Sequence, residues 1–161
     1  MELSFSFFVK TLTLLTVGLS AGLFFAWSVS VILGTKSISD HSYVEAMQSI
    51  NRAILNPVFF IVFFGAFLLL VLSCFLKYQQ AVDYSFWLVL TATVLYGAGT
   101  LGVTIWGNVP LNNMLDAVAE GASTTELAQA RLEFEHPWNQ LHQIRTWTSG
   151  SAFILLILAY L

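Results

Sequence analysis

Four long stretches of the chain contain no Asp, Glu, Lys or Arg. They cover residues 11–35, 53–76, 84–115 and 146–161. A helix needs about 20 apolar residues to cross the hydrocarbon core of a bilayer, which is roughly 30 Å thick. The first three stretches exceed that length, so the chain is predicted to be a multi-pass, all-α membrane protein. A single domain, residues 1–161, is predicted to account for it.

The composition agrees with this class and excludes several others. Of the 161 residues, 57% are hydrophobic and 9% are charged, against about 25% charged residues in soluble domains. A net charge of −3 without a basic run predicts no nucleic-acid partner. Cys74, the only cysteine, excludes an internal disulfide and a cysteine zinc site. The first apolar run continues through residues 23–33, too far for a signal peptide, so it is predicted to be an uncleaved span.

Four spans are predicted, arranged as an up-down-up-down four-helix transmembrane bundle. Their predicted bounds are about 5–33, 58–77, 85–107 and 138–160. Ser42 and Glu45 have capping-box spacing, which predicts a short interfacial helix between spans one and two. Between spans three and four, Pro110 predicts a short helix, Ser123–Glu126 a second capped helix, and Pro137 the start of the last span. With four spans, the N- and C-termini lie on the same side.

Antiparallel neighbours bring the ends of spans one and three to the side where spans two and four begin. The polar residues that converge there are Asn51, Arg52, Asn56, Asn108, Asn112, Asn113 and the segment 136–146. This side also has more Lys and Arg than the other, which favours a cytoplasmic location for it. Because Arg52 and Arg145 could belong to a site rather than to loops, the orientation stays open.

Arg145 stands only sixteen residues before Leu161, which is about 24 Å of helix. The last span must therefore take this arginine into the edge of the apolar slab, where the cost at the helix centre would be about 2.5–3.5 kcal/mol. Snorkelling to the headgroups would explain Arg145 alone, but not His142 and Asn139 beside it. No carboxylate is predicted at the same depth. An unpaired cation facing asparagine amides suits an anionic or electron-rich ligand, and nearby tryptophans such as Trp138 suit an aromatic one.

Three strings carry most of this polar chemistry. They are AMQSINRAILNPVFF at 46–60, NVPLNNML at 108–115 and PWNQLHQIRT at 137–146. Together they resemble the anthrone oxygenase-like integral membrane proteins, and the resemblance extends in the same order over nearly the whole chain. It implies a four-span protein that oxidises an anthrone- or phenol-like aromatic with O₂ as co-substrate, without metal or flavin.

The resemblance, with the chemistry that it implies, gives the polar residues expected roles. Loss of a methylene proton turns an anthrone into a phenolate-like anion, which can pass an electron to O₂ without a cofactor. His142 is the expected catalytic base, and Arg145 is expected to stabilise the anion in a site of low dielectric. The expected substrate-binding residues are Arg52, Asn51, Asn56, Asn108, Asn112, Trp138 and Asn139. No residue is expected to bind a cofactor or a metal.

Other classes stay open at this point. The same residues are ordinary capping and interfacial residues in a non-catalytic membrane structural or interaction protein, and a small aromatic- or quinone-binding protein would use the same pocket. His41, His136 and His142 could serve a haem carrier, but no second histidine lies within a span to face His142. The sequence has no internal repeat, which disfavours a repeat-built transporter, while a homo-oligomeric pore is left open. The expected partners are the lipid bilayer and a small aromatic or quinone-like ligand.

Overall fold

The computed structural model describes residues 5–161, so the first four residues of the predicted domain lie outside it. The described chain forms five helices: α1 (Phe5–Thr35), α2 (Asp40–Ala53), α3 (Pro57–Gln80), α4 (Tyr84–Asp116) and α5 (Thr124–Tyr160). No strand occurs within this range, which confirms the all-α class. π-helical turns are included in α1 at Trp27–Val31 and in α4 at Leu95–Gly102 and Thr104–Asn108.

Three of the helices, α1, α3 and α4, are long and apolar enough to cross a membrane. They correspond to the first three predicted spans and agree with an integral membrane protein. The fourth predicted span, 138–160, is the last part of α5. This helix is less apolar than the other three because it includes the polar residues of 136–146.

Serine caps fix where α2 and α5 begin. Ser39 caps α2 by accepting a hydrogen bond from Ser42 N (3.2 Å), so α2 starts earlier than the spacing of Ser42 and Glu45 predicts. At α5 the predicted capping box is confirmed, with Ser123 Oγ accepting from Glu126 N (3.3 Å) and Glu126 Oε2 accepting from Ser123 N (2.8 Å). The hydrogen bonds from Ser123 hold the pKa of Glu126 below its ordinary value.

Pro110 and Pro137 do not begin new helices, contrary to the prediction. Pro110 lies in the last part of α4, where Asn108 has helical φ and ψ of −70° and −37° and makes no capping bond. Pro137 lies inside α5, although an interior proline costs about 3 kcal/mol. Phe134 and Trp138, on either side of it, stack at 5.9 Å within one buried cluster, and this packing favours a continuous helix. The short helices predicted between spans three and four are therefore the ends of α4 and α5.

Arg131 ties the first part of α5 to the connection between α1 and α2. Its Nη1 donates to Ile38 O (2.8 Å) and to Asp40 Oδ1 (3.1 Å), and its Nε donates to Glu135 Oε2 (2.7 Å). The guanidinium also lies 4.4 Å from the centroid of the Tyr43 ring. The hydrogen bond with Glu135 raises the pKa of Arg131 above its ordinary value. These contacts hold α2 against α5.

The long helices pack around a shared apolar core. α1 and α4 each pack against both α3 and α5, while α2 packs against α5 and the end of α4. The main core contains Val17, Phe24, Phe63, Leu70, Val89, Tyr96, Ala152 and Leu156. A second cluster under α2 contains Tyr43, Val44, Met47, Leu115, Leu127, Phe134 and Trp138. His142 contacts Phe24 of the first cluster and Trp138 of the second, so the polar stretch of α5 lies between them.

Candidate functional site

A cavity of about 140 Å³ lies between the two clusters, at the end of the molecule that α2 covers. All five helices contribute to its wall. Most of the lining is apolar or aromatic, including residues of α1 and α3. Its polar side chains are Asn51, Thr104, Asn112, His142 and Arg145, together with the indoles of Trp27 and Trp138. An aromatic wall with a few converging polar groups is typical of small-molecule sites.

Arg145 is the buried cation of this cavity, with 6% of its surface exposed. Its Nη2 donates to His142 Nδ1 (3.1 Å) and its Nη1 to Thr104 Oγ1 (3.3 Å). The guanidinium carbon lies 4.9 Å from the Phe24 ring centroid and 5.2 Å from that of Trp138, in cation–π range. Within residues 5–161, no carboxylate forms an ion pair with it. Aromatic faces and neutral acceptors thus hold the charge without a counter-ion.

His142 is fixed at both ring nitrogens. A guanidinium can only donate hydrogen bonds, so Nδ1 accepts from Arg145 and the proton of the neutral ring is assigned to Nε2. The Nε2–H group faces Phe24 O, 3.1 Å from Nε2, and Ser28 Oγ, 3.0 Å from Nε2. The ring also stacks on Trp138, with centroids 5.1 Å apart and planes 6° from parallel. His142 therefore positions Arg145 in this state, and its lone pair at Nδ1 is occupied by that arginine.

Three residues that line the cavity each have a buried donor atom without a hydrogen-bond partner in the described part of the chain. The atoms are Trp27 Nε1, Asn51 Nδ2 and Arg145 Nε. Leaving such a group unpaired in a buried site costs about 1–3 kcal/mol, more when it is charged. A ligand with an oxygen that accepts hydrogen bonds would remove this cost. The arrangement therefore suits a carbonyl, phenol or phenolate oxygen attached to an apolar ring.

Comparison with protein-family models gives a match over more than half of the chain. A family model described as anthrone oxygenase matches residues 57–155. This range begins at α3 and includes Thr104, Asn112, Trp138, His142 and Arg145 of the cavity.

The chain belongs to the anthrone oxygenase family.

No curated protein and no solved structure matches the chain significantly. The family match confirms the resemblance carried by the strings at 108–115 and 137–146. Two polar cavity residues of this anthrone oxygenase family member, Trp27 of α1 and Asn51 of α2, lie outside the matched range.

The structure brings together five of the nine predicted site residues at the cavity wall. They are Asn51, Asn112, Trp138, His142 and Arg145. Asn112 Oδ1 accepts from Trp138 Nε1 (2.7 Å), and Asn108 Nδ2, buried behind the wall, donates to Trp138 O (3.3 Å). Asn112 therefore holds the indole of Trp138 in place, and Asn108 holds its backbone.

Three predicted residues lie away from the cavity wall. Arg52 is 60% exposed and pairs with Asp116 at 2.6 Å. α2 lines the cavity with Ile50 and Asn51, and Arg52 follows on the side of the helix that faces Asp116. Asn139 likewise lies outside the cavity wall, although its neighbour Trp138 is part of it. Asn56 caps α3, accepting from Phe59 N (3.0 Å).

No sequence pattern marked Trp27, Phe24 or Thr104, which lie in apolar runs. Trp27 and Thr104 share a feature that is visible only in the backbone, because a π-helical turn begins at each of them. Such turns occur often at functional sites. In this protein they lie in two of the helices that form the cavity wall. Within residues 5–161, no three His, Cys, Asp or Glu side chains come together as a metal site.

Proposed function

We propose that this protein is a four-span membrane enzyme that oxidises an anthrone- or phenol-like aromatic to a quinone with O₂. The observation that carries the proposal is the set of three buried, unpaired donors around an aromatic cavity, in a member of the anthrone oxygenase family. The donors suit the substrate oxygen, and the aromatic wall suits its rings. The reaction needs no resident cofactor, so none is proposed.

The fourth span is the last part of α5, 138–160. Its packing against α1 and α4 supports this, as does the burial of Ser149, Ala152 and Leu156 against the main core. Lys10 Nζ lies 5.5 Å from the Tyr160 ring centroid, so the start of α1 and the end of α5 meet at one end of the bundle. The proposed topology is up-down-up-down, with the cavity near the opposite end. Which end faces the cytoplasm is left open.

In the proposed reaction both methylene C–H bonds and the O–O bond break. A base takes one methylene proton from the anthrone, and the resulting anion gives one electron to O₂. The substrate radical and superoxide combine to a peroxide anion, which takes the proton back from the base, and the hydroperoxide loses water together with the second methylene hydrogen to form the second carbonyl. The sum is anthrone plus O₂ giving anthraquinone plus water. O₂ is thus the oxidant, and the protein has to bind the rings, stabilise the anion and accept a proton.

Arg145 is the proposed anion stabiliser, with Trp27 and Asn51 as neutral donors to the same oxygen. Fixed donors in a water-poor site favour a developing oxyanion more strongly than water does. When the substrate oxygen accepts the hydrogen bond from Nη2 of Arg145, Nδ1 of His142 no longer accepts it and its lone pair becomes free. His142 then acts as the base, which couples proton acceptance to substrate binding. Arg52, Asn56 and Asn139 have no direct role in this proposal.

Oxygen consumption by the purified protein in lipid nanodiscs tests the proposal, with anthrone as substrate and protein-free nanodiscs as the blank. We expect oxygen uptake and anthraquinone formation in equal amounts, both faster than the blank. The variant His142→Gln keeps an acceptor for Arg145 but cannot act as a base, so we expect it to bind anthrone and lose turnover. Full turnover in H142Q would remove the base assignment, and no rate above the blank in the wild type would contradict an anthrone-oxidising enzyme.

A non-catalytic aromatic- or quinone-binding protein is the second candidate. The engagement of both His142 nitrogens favours it, because a base needs a free lone pair. In that case anthrone and anthraquinone would bind with a dependence on Arg145, and oxygen uptake would equal the blank. A purely structural role predicts that neither compound shifts the melting temperature.

A further inference from the structure

The enclosed volume of the cavity is smaller than a three-ring molecule of the proposed substrate class. A cavity of about 150 Å³ accommodates one benzene molecule, and the cavity measures about 140 Å³. A planar aromatic of three rings therefore extends beyond the enclosed space. The direction in which it extends decides how it enters and what surrounds its far end.

Contacts between α3 and α4 define how these antiparallel helices lie beside each other. A Cβ atom on Gly97 would lie 2.6 Å from Cε2 of Phe67, so the two helices approach closely there. Nearer the other end, Thr93 Oγ1 reaches Leu70 O (3.4 Å). Residue numbers in the two helices change in opposite directions, so the level of Phe60 in α3 corresponds to about residue 104 in α4.

The packing of α3 against α4 ends before that level. α3 packs against Tyr84–Val94 and Leu95–Gly102, but not closely against Thr104–Asn108. Phe60 lies on the same stripe of α3 as Phe67, two turns away, yet it is 39% exposed. Phe64 beside it and Ile105 on α4 are each 41% exposed. All three residues also line the cavity, so the cavity opens sideways between the two helices.

The sides between α1 and α3 and between α4 and α5 are closed, whereas Leu55 and Val109, at the polar end of the α3–α4 opening, line the cavity and are 63% and 38% exposed. Between α1 and α3, the rings of Phe24 and Phe63 lie 6.2 Å apart, and Phe63 is buried. Toward the polar end, Ile50 and Asn51 of α2 contribute to the wall. Between α4 and α5, a Cβ on Gly107 would lie 2.9 Å from Leu141 Cδ1, which shows how closely these helices approach.

The opening borders apolar chain on both sides. Phe60 and Phe64 belong to the charge-free stretch 53–76, and Ile105 belongs to 84–115. Both stretches are part of candidate membrane spans, so lipid acyl chains rather than water would face the opening. An aromatic dissolved in the bilayer could reach the buried donors without entering water.

We propose that the substrate enters from the bilayer between α3 and α4 with its oxygen-bearing edge first. Its oxygen lies at the cavity donors, and the rest of the ring system extends between Phe60, Phe64 and Ile105 toward the lipid. This inference rests on the proposed function and adds the route and the orientation of the ligand. The chemical class is a flat, lipid-soluble, polycyclic aromatic with an acceptor oxygen at the buried end.

Association kinetics of anthrone in nanodiscs test the route, with quenching of tryptophan emission as the signal. Ile105→Trp narrows the opening, and Val94→Trp is its matched control because Val94 is exposed on the same helix but does not line the cavity. We expect I105W to slow association at least about tenfold and V94W to match the wild type. Phe64→Ala, which widens the opening, should accelerate association. The rate should follow the amount of anthrone per lipid and not its aqueous concentration.

Equal rates in I105W and V94W, or rates that follow the aqueous concentration, would overturn the route while leaving the proposed function intact. Melting curves of I105W and V94W establish that both variants are folded, and F64A gives an independent readout of the opposite sign. If the wild type shows no anthrone quenching that depends on Arg145, the proposed function fails and the route fails with it. The two failures are therefore distinguishable.

Discussion

The middle of the bundle and its α2-covered end both bury polar side chains, but they differ in whether those side chains have hydrogen-bond partners. In the middle, Tyr96 Oη pairs with Ser20 Oγ (2.7 Å) and donates to Phe63 O (3.1 Å). At the α2-covered end, Asn51 and Arg145 keep donors without a hydrogen-bond partner among the described residues. Unpaired polar groups are costly in a membrane interior. The difference separates polar residues that join helices from polar residues that are suited to a ligand.

Replacing the unpaired arginine should have the largest effect on binding. Arg145→Met removes a charged donor, so we expect anthrone affinity to fall about 100-fold, within the 1.5–3 kcal/mol typical of hydrogen bonds to charged groups. Because a buried cation without a counter-ion is lost, the melting temperature should stay the same or rise.

The matched control is Arg131→Met, which removes an arginine that is paired with Asp40 and Glu135. R131M should lower the melting temperature and leave anthrone affinity within about twofold in the folded protein. Calorimetry and nanodisc binding measure both quantities. A destabilised R145M that binds anthrone normally would mean that the contrast between the two regions has no functional meaning.

Two asparagines provide a smaller version of the same contrast. Asn51→Leu removes an unpaired donor, so we expect anthrone to bind about tenfold more weakly with little change in stability. Asn56→Leu removes the cap of α3, so we expect a loss of about 1 kcal/mol in stability and unchanged binding. Binding titrations and thermal melts of the two variants should therefore give opposite patterns. Similar patterns for both would argue against a ligand at Asn51.

The paired tyrosine should matter for stability alone. Tyr96→Phe removes the hydroxyl that joins Ser20 to the carbonyl of Phe63, which should cost about 1 kcal/mol of unfolding free energy. Anthrone affinity should not change, since Tyr96 does not line the cavity. Denaturant unfolding in micelles measures the first effect. A large loss of affinity in Y96F would show that the middle of the bundle also serves the site.

The smallest effect should be a pH dependence at the start of α5, outside the cavity wall. Hydrogen bonds from Ser123 lower the folded-state pKa of Glu126. Their contribution is therefore complete above the unfolded pKa, near 4.5, and is lost as the pH falls through the folded value. Hydrogen-exchange protection factors at residues 124–127 should fall below that pH in the wild type and stay unchanged in Glu126→Gln. Unchanged protection down to acid pH in the wild type would show that the capping box of Ser123 and Glu126 does not stabilise the start of α5.

The sequence sufficed for the helices and for one wall of the site. Charge-free runs located α1, α3 and α4, because a membrane span needs length and apolarity more than any particular residue. Spacing on one helix placed Trp138, His142 and Arg145 on a common stripe, and the structure has all three at the cavity. These predictions needed only local geometry.

The remaining features depend on contacts between distant segments. Pro137 signals a helix start locally, but the burial of its neighbours Phe134 and Trp138 in one cluster favours a continuous α5. Arg52 belongs to the same polar segment as Asn51, so both were predicted site residues. Only the way α2 packs against α5 decides that Asn51 faces the cavity and Arg52 does not. Trp27 has an apolar context in the sequence, and its unpaired N–H becomes visible only when the cavity is known.

The central claim is that the donors around Arg145 bind a ligand oxygen. It is tested most directly by comparing the affinities of anthrone and anthracene, which have the same three-ring skeleton and differ in the oxygen. Wild-type protein in nanodiscs should prefer anthrone by at least about tenfold, or 1.4 kcal/mol, after correction for partitioning into lipid. R145M should retain only the part of this preference that Trp27 and Asn51 provide. Equal affinities in the wild type, or an undiminished preference in R145M, would contradict the account.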